Sequence, residues 1–397
     1  MIRIALASIH PRSLSGQIEG LVGLAQALSN HGHSVQIASA FPNRDLLGGD
    51  RLKLARAPQR IIIDQPVRIS RILARLIRLS AQVDVIQLNL PTPAFSIIGD
   101  LLQTLVRVPV VVGYEAHLVR VRDLLQRGHV SQAPGFYLPR LLINNRLVAR
   151  VTLHRAAAYT VSSQYQKTEL IAAGVPPGRI HLLPTVLPFD KMARTSHPEA
   201  RDQFPSGRLL TYIGHYNHVK GVDVLIRAFR SLAARFPDLH LVLAWSGLGR
   251  SEVVNALLQE MANQGRVYQL GRLNVQDLFA ASDVVVLPYR LTMGQAAHPT
   301  TLLEAFAANV PVVTTDLPLL REMTDEGKLA CLVPPDDPTA LAAMIERVLN
   351  EPALVRPMLQ AQRDWIGQTQ PTRVVGAYEQ FYEQIIAKHK TAVLRAG

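Results

Sequence analysis

The sequence predicts an α/β protein of two doubly wound parallel-sheet domains. Three observations carry this: β-branched runs alternate with helical periodicity, the alternation starts afresh near residue 207, and the chain is 397 residues long. That length exceeds one ordinary core and suits two domains of roughly 150 to 200 residues.

In the first half, strands are expected at 2–8, 35–40, 84–89, 108–114, 158–162 and 180–185. Between the first two, Leu21, Leu24, Ala25 and Leu28 mark one face of a helix, and Gly32 stands where a helix end wants a left-handed residue. The stretch PFDKMARTSHPEARDQFPSG, rich in proline and polar residues, reads as a linker. Beyond it come strands at 209–214, 240–246, 267–271, 284–289, 311–316 and 330–335, with a helical pattern over 222–236. The expected division is 1–190, 191–370, and a closing helix at 371–397 that can return to the N-terminal domain. Two such domains place the carboxyl ends of two sheets across a cleft, where folds of this kind bind ligands.

Apolar residues make up 48% of the chain, enough to fill both cores. Cys331 is the only cysteine, which excludes disulfides and cysteine-based zinc sites and fits a reducing compartment, so a cytoplasmic location is expected. The N-terminus alternates like a strand rather than a secretory segment, and no apolar run approaches the ~20 residues of a membrane-spanning helix. The net charge of +12 is uneven: residues 1–190 contribute +11 and the remainder +1.

The stretch HPTTLLEAFAANVPVVTTD (298–316) is the most informative. If Pro299 takes the first helical position, the N–H groups of Thr300, Thr301 and Leu302 are free at a helix N-terminus and can receive an anion. Glu304 follows one turn later on the same face, about 6 Å along the axis, which matches the step from a diphosphate to a ribose. The plain alternative is a capped helix whose glutamate faces solvent. In YIGHYNHVKGVDVLIRAF (212–229), a strand ends at Gly214 and Lys220 opens an amphipathic helix, where its ammonium can reach phosphate oxygens or simply be solvated. The glycines of AWSGLG (244–249) permit close backbone approach after another strand.

Taken in order, YIG…KGVDVLIRAF, LVLAWSGLG, LGRL…DLFAASDVVVLPY, HPTTLLEAFAANVPVVTTDLPLLREM and LVPPDDPTALAAMI resemble the donor half of retaining glycosyltransferases of family four, over Leu209 to about Leu349. The first half resembles the same family more loosely, through Ser15-Gly16, NHGHSVQIAS, VPVVVGYEAH and VSSQYQKTELIAAGV. The resemblance implies the GT-B fold, with two Rossmann-like domains facing a central cleft. It also implies metal-independent transfer of a sugar from a nucleotide-sugar co-substrate, with UDP or GDP expected and no cofactor. Position by position, it makes Lys220 the diphosphate lysine and His117 the histidine facing the donor sugar, the two catalytic candidates. The donor-binding set is Gly16, Gly214, His215, Lys220, Pro299, Thr300, Thr301, Leu302 and Glu304, the last being the second Glu of the family's paired-glutamate motif. The first Glu of that motif is replaced by Ala296, with Gln295 beside it, and His215 stands where many members carry arginine.

PVRISRILARLIRLS (66–80) places Arg68, Arg71, Arg75 and Arg78 on one stripe beside Ile69, Ile72, Leu73 and Leu76. Such a helix either lies in a membrane interface or packs on a core with its arginines solvated. More arginines in 117–129 and 139–150 favour the first, hence a peripheral protein on the inner face of an anionic membrane, with a glycan or lipid-linked acceptor. Nucleic acid is not an expected partner, because no binding motif or aromatic interleaving accompanies the arginines. SIHPRSLSGQIEG lacks the G-x-G-x-x-G of a nicotinamide dehydrogenase, and a bilobal solute-binding protein would need an export signal. The nearer rival is a weakened family member acting as a nucleotide-binding or partner subunit, motivated by Ala296 and His215.

Overall fold

A computed structural model describes residues 1–8, 16–39, 65–90, 93–115, 117–118, 124, 129–186, 200–245, 251–262, 265–271, 274–292 and 299–396. The chain divides into two compact units, one built on Met1–Pro188 with Thr369–Gly397, the other on Phe189–Gln295 with Pro299–Gln368.

The first unit holds a six-stranded parallel sheet in the order β2-β1-β3-β4-β5-β6. Its strands are β1 Arg3–Ser8, β2 Ser34–Ser39, β3 Val85–Leu90, β4 Val110–Tyr114, β5 Ala158–Val161 and β6 Ile180–Leu182. They are connected through helices α1 Gly16–Asn30, α2 Gln65–Leu79, α3 Pro93–Leu105, α4 His129–Gln132, α5 Pro134–Ile143, α6 Arg146–Thr152 and α7 Gln164–Ala172. The central strands are covered on both faces, so they read as continuous apolar runs; every residue of β4 is buried. The apolar stripe of α2 belongs to this core: Ile72 and Leu76 are buried in it, and Ile69 and Leu73 pack against it.

The second unit repeats the plan in the order β12-β11-β10-β7-β8-β9. Its strands are β7 Arg208–Gly214, β8 Leu239–Trp245, β9 Val267–Leu270, β10 Val284–Leu287, β11 Val312–Thr315 and β12 Cys331–Val333. Its helices are α8 Val222–Ala233, α9 Glu252–Met261, α10 Val275–Ala281, α11 Thr300–Ala307, α12 Pro318–Met323, α13 Pro338–Asn350 and α14 Pro352–Gln368. The winding reverses between β7 and β10, which lie side by side although far apart in sequence. Loops leaving such neighbours run to opposite faces, and the gap between them is where this architecture admits a ligand.

The last helix, α15 Pro371–Ala396, packs on the first unit. Its Tyr382 hydroxyl donates to Gln87 Oε1 at 2.6 Å and its Tyr378 hydroxyl to the Pro184 carbonyl at 2.9 Å. His33 Nδ1 accepts from the Ile2 amide, which leaves Nε2 to carry hydrogen and donate to Glu379 at 2.6 Å.

Helices α3 and α6 are fastened by one carboxylate. Asp100, buried on α3, accepts from the backbone N–H groups of His154, Arg155 and Ala156 at 2.9 to 3.0 Å, and the Thr152 hydroxyl donates to the Pro93 carbonyl at 2.7 Å. Asp100→Ala strands three backbone donors and the Tyr159 hydroxyl at once and is expected to destabilise the protein by about 3 kcal/mol. Urea denaturation checks this, and Asp100→Asn should recover part of the loss.

Candidate functional site

At the reversal point of the second sheet, β7 ends at Gly214 with φ 153°. A Cβ there would sit 2.7 Å from the Tyr212 hydroxyl, which donates to the His215 carbonyl at 2.8 Å. Asn217 then caps a single 3-10 turn, His218–Lys220, its side chain accepting from the Lys220 amide at 3.2 Å. Lys220 therefore closes a tight turn, and α8 begins only at Val222, after Gly221 in the left-handed region (φ 64°). A Cβ on Gly221 would lie 1.9 Å from the Pro288 carbonyl oxygen, so only glycine lets this turn press against the exit of β10.

Arg290, a residue the sequence reading passed over, holds that contact. Its backbone N–H donates to the Val219 carbonyl at 2.8 Å, and its guanidinium donates to the His218 carbonyl at 2.9 Å. The same group pairs with both oxygens of Asp223 at 2.6 and 2.8 Å and with Asp336. Burial works against both charges, yet pairing leaves Asp223 below the usual carboxylate range and Arg290 above its ordinary value. The signal was present in the sequence: an arginine directly behind the apolar run VVVLPY, with an aspartate in the first turn of an apolar helix.

Next to it, the Thr315 hydroxyl donates to the Tyr289 carbonyl at 2.6 Å and fixes that residue from the β11 side. The Lys220 ammonium lies 4.5 Å from the centre of the Tyr289 ring. Lys220 is half-buried, and loss of water around its ammonium pushes its pKa down to about 8. Burial, and then the carboxylate of Glu304, push the Tyr289 hydroxyl above its ordinary range.

Helix α11 departs from expectation at its start. Pro299 has ψ 100° and precedes the helix instead of occupying its first position, and its carbonyl accepts from the Leu302 amide at 2.9 Å. Leu302 therefore has no amide left for an anion, because proline's extended ψ closes a tight first turn. The half-buried Thr300 and Thr301 provide the open end, since no described carbonyl accepts from either amide and no side chain caps the helix. Glu304, one turn on from Thr300 along the same helix, is largely buried at 8% exposed. Gln295, Ala296 and the 246–249 part of AWSGLG lie outside the described residues.

The remaining expected residues belong to the first unit. Gly16 is the first residue of α1. His117 does not open onto a surface: it is 1% exposed, its Nδ1 is 3.1 Å from the equally buried Glu169, and its carbonyl accepts from Asn144 at 2.7 Å. The sequence reading missed Glu169 and its neighbour Gln166, whose amide donates to the Tyr114 carbonyl at 3.1 Å and ties β4 to the start of α7. It also missed Glu115, where burial raises the carboxyl to about 8 while Asn89 donates to it at 2.7 Å. Arg71, Arg75 and Arg78 are exposed on α2, and the side chain of Arg68 lies outside the described residues. Among the described residues no cluster of His, Cys, Asp or Glu could hold a metal ion, and no helix is long and apolar enough to cross a membrane.

Residues 15–190 match the family described as Glycosyltransferase Family 4, and residues 207–351 match Glycosyl transferases group 1. A phosphatidyl-myo-inositol mannosyltransferase of Mycolicibacterium smegmatis is 30% identical over 156 residues, 38% of this chain and 39% of that protein. Its counterpart in Propionibacterium freudenreichii is 28% identical over 56% of each chain. The matched segments thus span about two fifths to just over half of these relatives. Among solved structures, sucrose-phosphate synthase of Thermosynechococcus elongatus superposes with a TM-score of 0.75 at 21% identity, covering 98% of this chain and 100% of that one. Anabaena HepE in complex with UDP superposes with a TM-score of 0.66 at 19% identity, covering 97% and 100%. The two six-stranded parallel sheets are those of the GT-B fold.

The depressed Lys220 pKa has a consequence for stability. The unfolded chain keeps that proton up to its ordinary 10.5 and the folded chain only to about 8, so stability rises with pH between these values and the charge is a burden below them. Lys220→Met is expected to melt higher than the parent at neutral pH, with the difference closing as pH approaches the upper value. Thermal melts across that range check it; a Met variant that melts lower at neutral pH would contradict the burial of this charge.

Proposed function

From a chain that belongs to the group 1, family-four glycosyltransferases, we propose a retaining, metal-independent enzyme that moves a sugar from a nucleoside-diphosphate sugar to a hydroxyl acceptor. What supports the reading is a poorly hydrated lysine 4.5 Å from the centre of the Tyr289 ring, a tyrosine whose hydroxyl also feels the charge of Glu304 on α11, a helix whose start no side chain caps. Negative charge grows on the departing nucleoside diphosphate, and Lys220 with the amides of Thr300 and Thr301 stands where it grows. In a poorly hydrated pocket such donors act strongly on the transition state. Glu304, one turn into α11, takes the ribose hydroxyls. The family resemblance also gives donor-side roles to His117 and Gly16 of the first unit, where Glu169 lies 3.1 Å from the His117 ring. With no side-chain nucleophile in this set, the acceptor hydroxyl attacks from the face the nucleotide leaves, and the departing phosphate takes its proton.

The base is uracil or guanine; the HepE structure with UDP supports the first. The acceptor is lipid-linked or membrane-proximal, as the names of the phosphatidyl-myo-inositol mannosyltransferases suggest by relationship, and the protein works in the cytoplasm at the inner membrane face. A second reading, a nucleotide-binding subunit with weakened activity, is favoured by Ala296 at the first glutamate position and by His215 in place of arginine.

Hydrolysis of UDP- and GDP-sugars, followed beside thermal shift with the free diphosphates, tests both readings. Turnover that drops by about a hundredfold or more in Lys220→Met, with the fold retained, is the expected result. A diphosphate shift without turnover on any donor supports the subunit reading, and neither shift nor turnover contradicts both.

A further inference from the structure

The apolar stripe of the charged helix α2 is taken up by the core, where Ile72 and Leu76 are buried. The first unit exposes one elsewhere. On α3, Ile97, Leu101 and Leu105 recur every four residues along one stripe; Leu142 stands near the end of α5, and Leu147 and Val151 recur on α6. These six side chains are 49% to 75% exposed, and Leu138 and Ile143 of α5 are exposed as well. Helices α3 and α6 are locked side by side by Asp100 and Thr152, and two residues join α5 to α6, so the exposed residues ride on one rigid support.

The charge on this support has a single sign. Arg140, Arg146 and Arg150 lie on α5 and α6 with no acidic residue, and the one acid of α3, Asp100, is buried and spent on three backbone amides. Exposed apolar stripes on three helices whose only exposed charges are arginines fit a surface that is apolar inside and anionic at its edge. A twofold pairing of the same face would set arginines against arginines with no carboxylate between them.

We infer that the face formed by α3, the end of α5 and α6 docks into the interface of an anionic bilayer, its leucines and valine entering the headgroup boundary and its arginines reaching the phosphates. This gives the membrane-proximal acceptor reading a location, and it rests on exposure and charge that are independent of the donor site.

Co-sedimentation of the full chain with phosphatidylcholine vesicles, with and without a fraction of phosphatidylglycerol, tests it. The parent is expected to bind only the anionic vesicles. Leu147→Glu/Val151→Glu should lose at least about tenfold in partitioning. Arg146→Gln/Arg150→Gln should lose roughly fivefold per charge removed, while Arg71→Gln/Arg75→Gln should change it little. All these positions are exposed, and unchanged melting temperatures will show that the variants fold. Parent-like binding by the Leu147/Val151 variant, or negligible binding by the parent to both vesicles, overturns the inference. So does a parent dimer in solution that this variant converts to monomer without a change at vesicles. Donor hydrolysis without vesicles, measured on the same preparations, separates the failures: hydrolysis without vesicle binding defeats this face alone, and vesicle binding without hydrolysis defeats the enzyme reading alone.

Discussion

The second unit is organised around one buried guanidinium. Arg290 is 6% exposed and satisfied by two carboxylates and a carbonyl, so removing any partner leaves charge uncompensated where water is scarce. Buried pairs of this kind add little net stability compared with apolar packing, but they tolerate few geometries. Here the geometry they select ties the turn after β7 to the exit of β10, the two places where the sheet reverses. Gly221 is the steric counterpart, since any side chain there would strike the Pro288 carbonyl and lift the turn away.

That constraint explains how a mobile residue becomes a fixed one. Lysine usually keeps its ammonium in water at some entropic freedom; Lys220 instead sits over the Tyr289 ring at the end of a capped turn. Tyr289 is itself pinned through Thr315, and its hydroxyl feels the charge of Glu304. The desolvation that burdens the folded state also strengthens the field the ammonium exerts on a neighbouring anion. A site arranged this way is paid for in stability and recovers the cost when a polyanion arrives.

Much of the fold was legible in the sequence. All twelve strands appear within a few residues of expectation because parallel strands buried on both faces leave short continuous apolar runs, and Gly-, Pro- and Asn-rich turns bound them. Helix starts were harder. Pro299 could stand at or before the first helical position, and only its ψ decides which; the choice then determines whether Leu302 keeps a free amide. Arg290 was missed because a lone charged residue after a strand looks solvent-facing until the partners Asp223 and Asp336, far apart in sequence, come together. The amphipathic pattern of α2 was read correctly as a pattern, but a stripe of arginines beside a stripe of leucines is common to core helices and membrane helices. The exposed stripe on α3 was invisible for the opposite reason: an apolar helix with few charges looks like core.

The central claim is that Lys220 is a desolvated cation waiting for a diphosphate. Its titration can be followed directly by NMR on lysine-labelled protein, with Lys220→Met identifying the resonance. The account requires a midpoint near 8 in the free protein that moves upward when UDP or GDP is added, because the phosphates favour the charged form. A midpoint at the ordinary value of 10.5, unmoved by either nucleotide, would contradict it.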